Sequence, residues 1–127
     1  MIKLETVEIE EKLYTALTSN KTLMDLLANA DKSIFHYIAP EVFPELPLLV
    51  YSIYEDVPIV HGDNLEKLHR VTIRIHIVYG ENDYSQIYSE IKNIMHALGF
   101  TRVNTTPYKS YDGVRMLVTD FEIILEA

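Results

Sequence analysis

Five histidines, two pairs of adjacent carboxylates and nine tyrosines are the side chains of this 127-residue sequence that could do chemistry. A metal centre needs rings aimed at one ion, as His-x-x-x-His on a helix or His-x-His on a strand provides. His36, His61, His69, His76 and His96 instead fall in a connector, a loop, two opposite parities of one strand and a helix surface. They read as surface or hydrogen-bonded histidines. Glu10-Glu11 and Glu55-Asp56 are neighbours in sequence, and neighbours diverge on a helix or strand, so neither makes an acid and base couple without a third element. Both pairs read as solvated charge. Asp120 and Glu122 share one strand face, where Arg70, Arg74 or Arg115 could meet them in cross-strand ion pairs. The serines lack a Gly-x-Ser-x-Gly setting, and glycines 62, 80, 99 and 113 are scattered singly, which gives no phosphate-cradling loop. Zero cysteines remove thiol catalysis, disulfides and Cys-ligated metal sites. No catalytic residue, cofactor site or metal ligand is assigned, and no enzymatic chemistry is expected. The tyrosines lean toward interaction: Tyr51, Tyr54, Tyr79, Tyr84, Tyr88, Tyr108 and Tyr111 lie at or near element ends. There a large ring is buried and its polar tip stays wet, although a core rim uses tyrosine the same way.

The elements that position these groups follow from periodicity. Ile9, Leu13, Ala16 and Leu17 form the stripe of a helix over Val7 to Leu17, with Glu8, Glu10, Glu11 and Lys12 off it. Thr18-Ser19-Asn20 supplies a stop and a new N-cap, after which Leu23, Met24, Leu26 and Leu27 begin a second short helix ending near Asn29. From Ile34 to Pro47 the period is lost, and Pro40, Pro44 and Pro47 mark an extended connector. Its apolar residues Ile34, Phe35, Tyr37, Ile38, Val42 and Phe43 are too many for a solvated loop, so it lies against its own domain or a partner. Leu48 to Tyr54 reads as a strand and Glu55 to Leu65 as a long loop of turn-forming residues. Over Leu68 to Tyr79, Val71, Ile73, Ile75, Ile77 and Tyr79 alternate with Arg70, Thr72, Arg74 and His76, the mark of a one-sided strand in an antiparallel sheet. Asp83 and Gln86 make a capping box for the best helix, 84–98, whose stripe is Ile87, Tyr88, Ile91, Ile94, Met95 and Leu98 and which Gly99 closes. Phe100 to Thr106 is a strand, Pro107 to Gly113 a turn region, and Val114 to Leu125 a final strand covered on both faces at one end only. The fold class is therefore α+β: a mainly antiparallel four-stranded sheet packed by the long amphipathic helix and the N-terminal helices.

Residues 1–127 suit one domain. The formal charge of -8, from 11 basic and 19 acidic residues, repels a phosphate backbone, so sequence-specific nucleic-acid binding is not expected. The start Met1-Ile2-Lys3-Leu4-Glu5 turns acidic where a signal peptide is apolar, and no apolar run approaches the roughly 18 residues that span a bilayer, so secretion and membrane insertion are not expected.

Taken together, the helix, the short helix at Leu23 to Leu27, Ile34-Phe35 leading to Pro47-Leu48-Leu49-Val50-Tyr51, the strand Val71 to Tyr79 followed at once by the helix Tyr84 to Leu98, and the closing strand Val114 to Leu125 resemble the tail terminator, or tail-completion, proteins of long-tailed phages and prophages. The resemblance covers nearly the whole chain and consists of element types, not catalytic signatures. It implies a structural protein that forms a ring, typically a hexamer, on the tail tube. The ring ends tail polymerisation and offers a surface to the head connector or stopper protein. Implied partners are further copies of itself, the tail tube protein and that connector, with DNA passing through the lumen. The implied location is the bacterial host cytoplasm during assembly and the tail neck of the virion afterwards. Phe35, Tyr37, Val42, Phe43, Val57, Ile59 and Val60 are the candidate interface residues, being apolar side chains that a lone monomer has little reason to display. Another phage neck component, or a small-ligand-binding α+β domain with a pocket behind the sheet, would fit the same sequence.

Overall fold

The computed structural model describes residues 6–37, 45–80, 84–109 and 114–127. Helix α1 (Thr6–Thr18) turns its Ile9, Leu13 and Leu17 stripe inward, each at most 3% exposed. It stops where Asn20 caps α2 (Lys21–Leu26), the Asn20 side chain accepting the Leu23 N–H at 2.9 Å. A 3-10 turn (Ala30–Ser33) leads into strand β1 (Ile34–His36). Strands β2 (Leu48–Gly62) and β3 (Leu65–Tyr79) follow, then α3 (Ser85–Ala97), β4 (Thr101–Lys109) and β5 (Arg115–Glu126). The sheet order is β1-β2-β3-β5-β4, with β1 parallel to β2 and the other pairs antiparallel.

The structure corrects four sequence expectations. The sheet has five strands and is mixed, because the start of the presumed connector, Ile34–His36, pairs with Leu49–Tyr51. Glu55 to Leu65 is no loop. It continues β2 into a two-residue turn at Asp63 and Asn64, whose φ values of 53° and 63° suit a type I′ hairpin, and then starts β3. The alternation that would have revealed this strand is scrambled by bulges. Tyr54 is an extra residue between the Ile53–Ile73 and Glu55–Thr72 pairs, which reverses the parity of everything after it, and Ile59 adds a second irregularity. Pro107, expected in a turn, lies within β4, an edge strand that tolerates a missing N–H. The second helix ends at Leu26, short of Asn29. Asp83, the expected cap of α3, and the turn at 110–113 lie outside the described residues.

The core is one-sided, as the alternation in β3 requires. Val71, Ile73, Ile75 and Ile77 are fully buried and pack with Leu117, Phe121 and Leu125 of β5 against Leu13, Leu17, Leu23, Ile87, Ile91 and Met95 of the helices. Gly99, with φ +95°, closes α3 as expected: its N–H reaches the His96 carbonyl at 3.0 Å and the Phe100 N–H reaches that of Met95 at 2.9 Å. The polar intruder Thr119, also fully buried, is satisfied by a chain of hydroxyls, its Oγ1 lying 3.0 Å from that of Thr105, which in turn lies 2.6 Å from Tyr88 Oη. The far face of the sheet has a smaller apolar cluster at one end, where Phe35, Leu46, Val114 and Met116 pack on Leu48, Val50 and Val78. Its other end is charged. This is the half-and-half character read from β5.

Candidate functional site

The charged half of the far face is built by register. Arg74 sits opposite Asp120, and its guanidinium forks onto that carboxylate at 2.8 and 2.9 Å. Asp120 is 5% exposed, so the pair is close to the interior. The bulged Tyr54 lays its ring over the same guanidinium, 3.6 Å from centroid to Cζ. The hydrogen bonds that Arg74 donates to Asp120 are the main cause that raises the Arg74 pKa. Arg70 stands 3.8 Å from Glu55 and 3.7 Å from Glu122. The cross-strand pairing expected of Asp120 and Glu122 is thus made. His76, between Val50 and Val118 in the ladder, has a buried Nδ1 with no hydrogen-bond partner among the described residues, and burial lowers its pKa, with Arg74 adding to the effect. On the opposite parity of β3, His69 is 8% exposed and places Nδ1 2.6 Å from Asp56 Oδ1. Glu55 and Asp56 therefore part company across the strand, as adjacent residues must.

The candidate interface residues divide into separate places. Val57 is half-buried on β2 opposite Arg70, while Ile59 and Val60, 38% and 44% exposed, lie on the outer half of the hairpin. Leu65, 62% exposed at the turn, joins them and was missed because it had been assigned to the end of a loop. Phe35 packs into the far-face cluster, so it is held by its own subunit. Tyr37 is exposed but tethered, its hydroxyl donating to Glu10 at 3.1 Å. Val42 and Phe43 lie outside the described residues. Tyr37, beside Tyr51, and the patch around Ile59 and Val60 lie at different ends of β2, about 20–25 Å apart along the strand at its usual rise. On the opposite side of the sheet, edge strand β4 exposes Val103 and Tyr108.

A groove of about 320 Å³ lies where α1 meets β1. Glu10 and Tyr14, one helical turn apart, line it with Glu11, Thr15, His36 and Tyr51. Glu10 pairs with the His36 imidazole, and His36 stacks on Tyr51 with centroids 4.8 Å apart. Burial raises the Tyr51 pKa above its ordinary 10.0, and the neighbouring Glu10 carboxylate raises it further. Glu10 is accordingly no mere solvated charge, contrary to the sequence reading. What that reading lacked was the path of β1, which brings His36 and Tyr37 to α1. Among the described residues, no cluster of three or more His, Asp or Glu is arranged to hold a metal ion, and no helix is long and apolar enough to cross a membrane. No known protein-family profile matches the chain, and no curated protein matches it.

Proposed function

We propose that this chain is a non-enzymatic structural subunit of a phage or prophage tail, a terminator that assembles as a ring on the tail tube, ends its growth and receives the head connector. The observation that carries the reading is the outer half of the β2–β3 hairpin, which offers Ile59, Val60 and Leu65 to solvent on a paired element. Further apolar side chains, Val103 and Tyr108, are exposed along β4 at the other edge of the sheet. Two different patches on opposite sides are what a repeated head-to-tail contact needs, and such a contact closes into a ring when its rotation fits. Pro107, the shift at Val103 and the bulges of β2 interrupt both edges, so the contact is one of side chains and not a continuous sheet. The acidic balance of the chain suits a ring whose lumen lets DNA slide without adhering. The subunit would be made in the host cytoplasm and end in the neck of the virion.

Negative-stain microscopy of the protein mixed with tail tubes polymerised from the matching tube protein tests this. The expected result is a cap at one tube end and an arrest of tube growth. Tubes that stay bare and keep growing would sink the reading. Caps that form on the connector but never on tubes would move the chain to another position in the neck.

A further inference from the structure

The helical layer covers the sheet unevenly. Helix α1 stands over the β1 end, where Glu10 meets His36 and Tyr37, and α3 reaches the β4 end through Tyr88, whose Oη lies 2.6 Å from Thr105 Oγ1. Beyond Tyr88 the helix side of β4 is bare: Arg102 and Pro107 are exposed, although their partners Phe121 and Leu117 on β5 are buried. Arg102 is on this side because Val103 is an extra residue in β4. Without it, Arg102 would share the far face with Asn104, which stands opposite Asp120. Arg102 donates to Thr105 Oγ1 at 3.3 Å, and Lys92 of α3 holds its ammonium 4.4 Å from the centre of the Tyr88 ring. Two exposed cations thus flank one ledge in a chain of formal charge -8, and among the described residues no carboxylate pairs with either.

The opposite end of the same row of the sheet has the complementary charge. Thr105 pairs with Thr119, Thr119 with Ile75, Ile75 with Tyr51 and Tyr51 with His36, so one row of residues joins the ledge to the strand beside α1. Four strand spacings make that row about 20 Å long. On α1, Glu8 and Glu11 are exposed one turn apart with Lys12 beside them, while Glu10 is held by His36 and Tyr37. Within one chain neither exposed carboxylate pairs with Lys92 or Arg102, so the match is available between copies.

We propose that the β4 ledge is the docking surface for α1 of a second copy of this chain, with Lys92 and Arg102 of one copy facing Glu8 and Glu11 of the next. The added helix would continue the helical layer past α3 and cover Arg102 and Pro107. It joins two unlike ends of the molecule, so the contact repeats head to tail. This deepens the ring reading and rests on it for the closure of the repeat, while the contact itself needs no tube.

The test is sedimentation velocity of the full chain at high concentration, without tubes, from about 0.05 M to about 0.5 M salt. The expected result is self-association at low salt that weakens several-fold as salt rises. Lys92→Glu with Arg102→Glu, and separately Glu8→Lys with Glu11→Lys, should each give a monomer with the parent's melting temperature, because all four side chains are exposed. An equimolar mixture of the two variants should associate again, since each reversed end then meets its complement. Both variants keep a net negative charge, so mixing them adds no general attraction. Should a reversal unfold the chain, the neutral pairs Lys92→Gln with Arg102→Gln and Glu8→Gln with Glu11→Gln should weaken association several-fold. A parent that stays monomeric, association indifferent to salt or to these substitutions, or reversed variants that fold but do not associate when mixed would overturn the contact. Tube capping is read separately. Tubes left bare by copies that associate would sink the terminator reading alone, and caps formed by copies that do not associate in this way would sink this contact alone.

Discussion

Arg74 and Asp120 show how much a single pair can hold when one partner is buried. Asp120→Ala removes both acceptors of the fork and leaves a guanidinium against Tyr54 with no counter-charge, for which urea unfolding should register a loss of about 2 kcal/mol. Because Arg74 keeps a third of its side-chain surface in water, the loss belongs at the modest end of the range for charged hydrogen bonds. Adding Arg74→Met should recover part of it, since an orphaned charge is then gone. His76 makes a different demand. Its folded pKa lies below the ordinary 6.5, so beneath pH 6.5 the unfolded chain binds more protons at this residue than the native one. Stability should therefore fall as pH drops through 6.5 toward the lowered folded value. His76→Gln should flatten that part of the stability profile, and a profile identical to that of the parent would rule the mechanism out. The pairing of Asp120 and Glu122 with Arg74 and Arg70 was readable in advance, because parity on two long strands decides which side chains can meet. The contact of Glu10 with His36 was not, because it depends on the course of the chain between elements and on no local period.

Helix α3 and the β2–β3 hairpin mark the two extremes of legibility at the level of elements. In the α3 stripe Ile87, Ile91, Ile94 and Met95 are buried and Tyr88 and Leu98 are partly buried against the core, while Lys92 is exposed over the Tyr88 ring. Ile91→Asp should cost about 3–5 kcal/mol by placing a charge in the core, and Lys92→Asp well under 1. Equal melting temperatures for the two variants would contradict the orientation of the helix. The hairpin is hard to read from sequence because its signal is broken repeatedly. The bulge at Tyr54 exchanges the two faces, the irregularity at Ile59 repeats the disturbance, and Asp56, Pro58 and His61 give the segment the composition of a loop. The local clue was Asp63-Asn64, two residues that tolerate positive φ, standing between stretches of strand formers. Asn64→Val should cost about 1–2 kcal/mol, since a β-branched side chain fits poorly at φ 63°. Thermal unfolding would check the size of the loss, and amide exchange in Leu65–Tyr79 would show whether the register survives.

Across the whole molecule, the division into a helical layer, a sheet and a half-charged outer face was legible from period and composition, because each follows from which residues seek water. Strand order was not, because it is decided by pairings between segments far apart in sequence. The proposed assembly makes its own demand at this scale. Ile59→Asp and Leu65→Asp change residues that the monomer leaves in solvent, so both variants should melt with the parent protein and yet fail to cap tubes. Variants that fold and cap normally would remove the hairpin from the contact. The sheet order also carries a consequence for synthesis. Strand β5 is an interior strand, flanked by β3 and β4, although both of its neighbours precede it in the chain. While a ribosome is still translating, the helices and the hairpin already exist, but Leu117, Phe121 and Leu125 do not, and the inner face of β3 lacks half its cover. The core over β3 is therefore complete only once β5 has docked. A copy whose translation stops before Arg115 would be left with an open core, a substrate for proteases and not for assembly, so that only chains translated through β5 could join a growing structure.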